Sequence, residues 1–108
     1  MIDWRRVAEL RTEIGASGFA EVVELFLEEA DQAITGLSRA PDAASVEASL
    51  HFLKGSALNL GFDDLAAQCQ DGEKKAAAGA KVDLGPVITT YAQSKKMFLS
   101  GVGRVSAA

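Results

Sequence analysis

Apolar residues recur every three or four positions along nearly the whole chain, and that period admits few folds other than packed helices. In the longest run, Phe19, Val22, Val23, Phe26, Ala30, Ala33, Ile34 and Leu37 form one broad face over residues 18–38, with Leu25 off it and exposed. No stretch keeps the strict alternation of a half-buried strand. No Asn-Gly or Asp-Gly turn separates two β-branched runs, since Asp71-Gly72 lies inside a helical pattern.

The period breaks where helix-starting and helix-ending residues stand. Asp3 caps a short unit over 3–14, with Trp4, Val7, Leu10 and Ile14 roughly on one side. Gly15 to Gly18 is a break, and Ser17 is the expected cap of the second helix. After the Ser38-Arg39-Ala40-Pro41 connection, Asp42 caps a third helix over 43–60. Its stripe is Val46, Leu50, Leu53, Ala57 and Leu60, and Gly61 fits the left-handed position that ends it. Asp63 and Asp64 open a fourth helix near its positive dipole end. Phe62, Leu65, Cys69 and Ala76 share one of its sides, and it ends near Gly79. Asp83 caps a fifth helix that tolerates Pro86 in its first turn. Leu84, Val87, Ile88, Tyr91, Phe98 and Leu99 supply its inner face.

The predicted fold is all-α, an antiparallel four-helix bundle with a short additional N-terminal helix covering one end. The 108 residues suffice for one domain, placed at residues 1–100. Residues 101–108 show little pattern and read as a frayed tail. Cys69 is the only cysteine, which excludes an internal disulfide, and one cysteine with one histidine cannot build a zinc site. The net charge is −4 and the bases are dispersed, which argues against nucleic acid as a partner. No Lys or Arg falls between Arg11 and Arg39, where Glu21, Glu24, Glu28, Glu29 and Asp31 form a solvated face. No signal-peptide pattern and no membrane-spanning run are present. The expectation is a soluble, cytoplasmic monomer without a membrane partner.

The only histidine, His51, stands in the third helix. With Leu53 taken as zero on the helical wheel, His51 falls at about 160°, Lys54 at about 100° and Gly55 at about −160°. The imidazole therefore leaves the bundle on the solvent side, with Lys54 and Gly55 as its neighbours three and four positions on. A mid-helix glycine costs about 1 kcal/mol against alanine. Gly55 faces away from the core, so helix packing does not account for it. Clearance for another protein beside the imidazole does. Neutral imidazole is a good nucleophile near pH 7, and its second nitrogen needs a proton acceptor when the first attacks phosphorus. A lysine one turn away can meet the charge of phosphoryl oxygens. With neither a GxxxxGK[ST] loop nor a GxGxxG present, the phosphoryl group would come from another protein.

His51-Phe52-Leu53-Lys54-Gly55-Ser56, followed by Gly61 and its apolar neighbour, resembles the signature of the histidine-containing phosphotransfer (HPt) domain. The resemblance runs on through Leu65 and Cys69 to Glu73, closely over the third and fourth helices and by pattern elsewhere. It implies a four-helix bundle and a phosphohistidine that exchanges its phosphoryl group with a receiver-domain aspartate. Carried over, His51 is the phosphorylated nucleophile, Lys54 stabilises the phosphoryl group and Gly55 gives steric access. Glu73, where the family has Glu or Gln, orients the imidazole. Cys69 matches a position that is often cysteine and reads as core. Gly72 departs from the family, which often has a larger apolar residue there; the glycine either loosens the fourth helix or lets it approach the third closely.

The resemblance implies a response-regulator receiver domain, a sensor histidine kinase or both as partners; Phe52 and Leu58, apolar and turned out of the stripe beside His51, and Leu25 are the expected docking contacts. It implies no cofactor of its own, magnesium belonging to the receiver, and no independent enzymatic turnover. Met1 and the weak tail favour a free-standing protein over a piece of a larger kinase. The alternative is a noncatalytic helical adaptor, a pseudo-HPt protein that binds a kinase or regulator without phosphotransfer. A metal-binding bundle is a poor third, because Glu-x-x-His pairs are absent.

Overall fold

The computed structural model describes residues 1–40 and 42–107; Pro41 of the expected connection and Ala108 of the expected tail lie outside the described residues. Five helices form: α1 (Trp4–Ile14), α2 (Ala16–Leu37), α3 (Ala43–Leu60), α4 (Asp63–Ala77) and α5 (Gly85–Ala107). No strand occurs among the described residues, and the one isolated bridge joins Ile2 to Phe62. The molecule measures 45 × 20 × 20 Å.

Local chemistry sets the ends of the helices. The Asp3 carboxylate accepts from the Arg6 N–H at 3.2 Å, and Asp42 accepts from the Ser45 N–H at 2.8 Å. These bonds satisfy donors that the first turns of α1 and α3 leave unpaired. Gly61 ends α3 with φ at +82°, and a Cβ there would lie 2.6 Å from the Asp3 carbonyl oxygen. The Asp3 N–H in turn donates to the Gly61 carbonyl at 2.7 Å, and Arg6 Nε donates to the Asn59 carbonyl at 3.0 Å. The start of α1 is thus pinned to the α3–α4 turn, where only glycine fits.

Phe62 stands at the centre of the core. Its ring meets Phe26 edge-on at 5.3 Å and Phe98 at 5.4 Å, and Phe98 stacks on Trp4 at 5.9 Å. Around them pack Val7, Phe19, Leu37, Leu50, Leu53, Leu60 and Leu65, all buried. A polar tie joins α5 to α2. The Tyr91 hydroxyl donates to the Asp31 carboxylate, and Lys95 Nζ lies 2.9 and 3.0 Å from the same two oxygens. Partial burial pushes the Asp31 carboxyl up, but Tyr91 and Lys95 together hold it below its ordinary value.

Several expectations change. Gly15 adopts a positive φ of 83°, so one residue makes the whole break, and α2 starts at Ala16. Ser17 therefore lies inside the helix and is not its cap. Ile14, Val22 and Leu99 fit inner faces by spacing, yet all three are exposed. They sit at the margins of their stripes, where the neighbouring helix no longer reaches. In place of the frayed tail expected from residue 101 onward, helical backbone continues to Ala107, with Val102 packed against the core.

The site lies on the α3–α4 pair. Gly72 of α4 is buried, and a Cβ on it would sit 2.8 Å from Leu50 Cδ1 and 3.4 Å from Val82 Cγ1. Of the two readings of Gly72, close approach is the one realised. Leu50 occupies the space that a larger residue would need.

Candidate functional site

The register of α3 decides where His51 points. Asp42 starts the helix, Gly61 stops it, and Leu50, Leu53 and Ala57 lie fully inside. That rotation turns His51 outward, with its side chain 71% exposed. Gly72 then brings α4 against Leu50, which puts Glu73, the next residue, beside the imidazole.

His51 Nδ1 lies 3.0 Å from Glu73 Oε2. An ionised carboxylate only accepts, so the Nδ1–H donates and the Nε2 lone pair is left free on the other edge of the ring. The second Glu73 oxygen, Oε1, lies 3.0 Å from Lys54 Nζ. One carboxylate thus engages both side chains of α3, one oxygen for each. Glu73 and Lys54 are half-buried between the helices, while the imidazole stands in solvent.

The Lys54 ammonium, 3.0 Å from Oε1, is the main force holding the Glu73 carboxyl below its ordinary value. Burial acts against it, and the His51 hydrogen bond acts with it. The stability this contributes is present above the unfolded-state value of a carboxylate. It is lost as pH falls through the depressed folded value. At neutral pH Glu73 is therefore an acceptor only. Cys69 lies buried one turn before Glu73, and burial, aided by the Glu73 charge, pushes its thiol up to about 12. It stays protonated and belongs to the core.

Gly55 is exposed, and apart from its own stretch of helix no atom lies within 4 Å of a Cβ built on it. The fold leaves room for a side chain there, about 40° around the helix from His51. Phe52, Leu58 and Leu25 are 44%, 58% and 54% exposed. Leu25 lines a groove of roughly 360 Å³ with Leu10, Val22, Ser56 and Asn59. Val22 and Leu10 did not stand out in the sequence as surface groups. The spacing of Val22 and Leu25, one turn apart, is the signal that could have joined them. The pairing of Lys54 with Glu73 also went unseen, because it depends on the distance between two helices.

Among the described residues no group of three or more His, Cys, Asp or Glu side chains could hold a metal ion. No described helix is long and apolar enough to cross a membrane. The family profile of the Hpt domain matches residues 21–97, well over half of the chain. No curated protein and no solved structure matches it. The matched span contains all of α3 and α4, and with them His51, Lys54, Gly55 and Glu73. On that match, and with an all-helical fold to carry it, the chain belongs to the Hpt domain family.

Proposed function

We propose that the protein is a phosphorelay intermediate, taking a phosphoryl group on His51 from a receiver-domain aspartate or a kinase and passing it to a response-regulator aspartate. Hpt domains serve phosphotransfer in two-component signalling as carriers, and this chain carries the family profile. The observation that supports the finer reading most is the exposed imidazole with its Nδ1–H held by Glu73. In this reading α2 to α5 act as the antiparallel four-helix bundle and α1 covers one end.

The Nε2 lone pair attacks the phosphorus of an aspartyl phosphate. The Nε2–P bond forms, the acyl O–P bond breaks, and the aspartate leaves as a carboxylate. No proton need move. The ring gains a positive charge, which the Nδ1–H shares with the Glu73 carboxylate. Transfer of this kind depends on positioning and charge more than on covalent help from the protein. A receiver docks over Phe52, Leu58 and Leu25, with the open space at Gly55 taken up by its backbone.

Incubation with a phosphorylated receiver domain tests the proposal. Label is expected to move to this protein in an acid-labile, base-stable form, as a P–N bond requires. Stable binding of the receiver with no label transferred would favour the noncatalytic adaptor. A second expectation concerns Gly55→Leu. The helix gains about 1 kcal/mol or less, because leucine favours helix more than glycine does. Transfer from a receiver slows by about tenfold or more, since the reacting groups can no longer reach productive distance. Phosphorylation by phosphoramidate, a donor small enough to avoid the new side chain, slows far less. Equal losses with both donors would remove the steric role.

A further inference from the structure

The groove between α1, α2 and α3 takes no part in the chemistry at His51, yet it lies within reach of anything that docks there. Leu10 of α1 with Val22 and Leu25 of α2 give it an apolar floor, and Ser56 and Asn59 of α3 close its far side. It holds roughly 360 Å³, room for one or two side chains. The charged groups that line it are Arg6, Glu13 and Glu29. Arg6 is already engaged. Its guanidinium lies 3.3 Å from Glu13 and 3.6 Å from Glu9, and its Nε donates to the Asn59 carbonyl. The charge of Glu29 is left over, and α2 adds more of the same sign. Glu21, Glu28 and Glu29 all fall within about 60° of Leu25 on the helical wheel, and no Lys or Arg occurs between Arg11 and Arg39. The groove is thus apolar below and acidic at its rim.

Asn59 follows His51 by eight residues, about 12 Å along α3. A partner interface of ordinary size covers about 800 Å² on each protein, a disc of about 16 Å radius. Centred on His51, such a disc takes in the groove. Phe52, Gly55 and Asn59 are all exposed, and they fall at about −100°, −160° and −120° on the α3 wheel. The surface between imidazole and groove is therefore continuous and leads toward α2. α1, which supplies one wall, lies ahead of the 21–97 span that matches the Hpt profile.

We propose that this groove is a second anchor for the docked receiver and selects among receivers, by taking a segment that presents an apolar side chain next to a Lys or Arg. The proposal rests on a receiver docking over His51. The apolar side chain displaces water from Leu10, Val22 and Leu25, and the cation meets Glu29 at the rim. Neither contact touches the reacting atoms. A rim charge of this kind governs encounter and partner choice, and it turns away a receiver with an acidic residue at the same place.

Glu29→Lys reverses the rim charge at an exposed position. Glu24→Lys makes the same change of net charge about 100° from Leu25, outside the groove. Val22→Ser strips the apolar floor. Each receiver domain of the source organism, purified and phosphorylated with acetyl phosphate, is screened for binding and for transfer of label. For the receiver that binds tightest at low salt, Glu29→Lys is expected to raise Kd about tenfold, Val22→Ser about fivefold and Glu24→Lys less than about twofold. The Glu29→Lys loss shrinks at high salt, where screening falls to about 3 Å at 1 M. A Lys→Glu or Arg→Glu change in the receiver restores its affinity for Glu29→Lys. Equal losses in Glu29→Lys and Glu24→Lys would reduce the effect to net charge and overturn the proposal. So would the absence of any receiver that binds, or a self-association of the wild type that Val22→Ser abolishes, which gives the groove to a second copy. A receiver that binds through Glu29 while no label reaches His51 leaves the groove standing and ends the phosphorelay reading.

Discussion

Replacing His51 with glutamine is expected to abolish phosphoryl acceptance and leave the fold untouched. The side chain is 71% exposed and points away from Leu50, Leu53 and Ala57, so no core contact is lost. One hydrogen bond to Glu73 goes, and exposed substitutions of this kind stay within about 0.5 kcal/mol of neutral. The amide of glutamine carries no nucleophilic lone pair, because its nitrogen is conjugated with the carbonyl. The loss of label should therefore be complete rather than graded. Transfer from a phosphorylated receiver, with a thermal melt by circular dichroism as control, checks both halves. Label on His51→Gln would place the acceptor elsewhere and end the mechanism.

Phe62→Ala is expected to have the largest effect on stability, about 3–5 kcal/mol. Phe62 is fully buried, meets both Phe26 and Phe98, and sits where Ile2 bridges to the α3–α4 turn. Removing the ring opens a cavity between side chains of α2 and α5 that cannot all close on it. A domain of this size holds roughly 5–15 kcal/mol in total. The melting temperature should then drop by roughly 12–40 °C, at about 4–8 °C per kcal/mol. Urea titration gives the free energy directly. A loss under about 1 kcal/mol would mean that the Phe62 cluster is not the centre of the core.

The parts of the fold that were legible in the sequence obey rules of short range. Asp3 and Asp42 cap, and Gly61 takes the left-handed turn, for reasons contained in a few neighbouring residues. The inner stripe of α3 was equally plain, and with it the outward turn of His51. What was not legible depends on how far a neighbouring helix extends. Ile14, Val22 and Leu99 fit their stripes by angle but stand at edges that nothing covers. Helix periodicity gives the middle of a buried face and is silent about its width. Val102 shows the reverse, a residue in unpatterned sequence that the core still reaches.

The site divides along the same line. Glu73 could be placed opposite His51 by resemblance to a family, but its second bond could not. Whether a lysine reaches across to a carboxylate depends on the separation of α3 and α4. That separation is set by Gly72 against Leu50, a contact about which the sequence left two readings open.

The stack of Trp4 on Phe98 has a practical consequence. Trp4 is the only tryptophan of the chain, and its ring lies nearly parallel to that of Phe98, at 6°. Its intrinsic fluorescence therefore comes from a single indole at the junction of α1 and α5. His51 lies ten residues up α3 from the turn that α1 grips, about 15 Å of helix. Emission from this chain is an optical gauge of whether α1 is seated. It reads the closing of one end of the molecule separately from the chemistry on its flank.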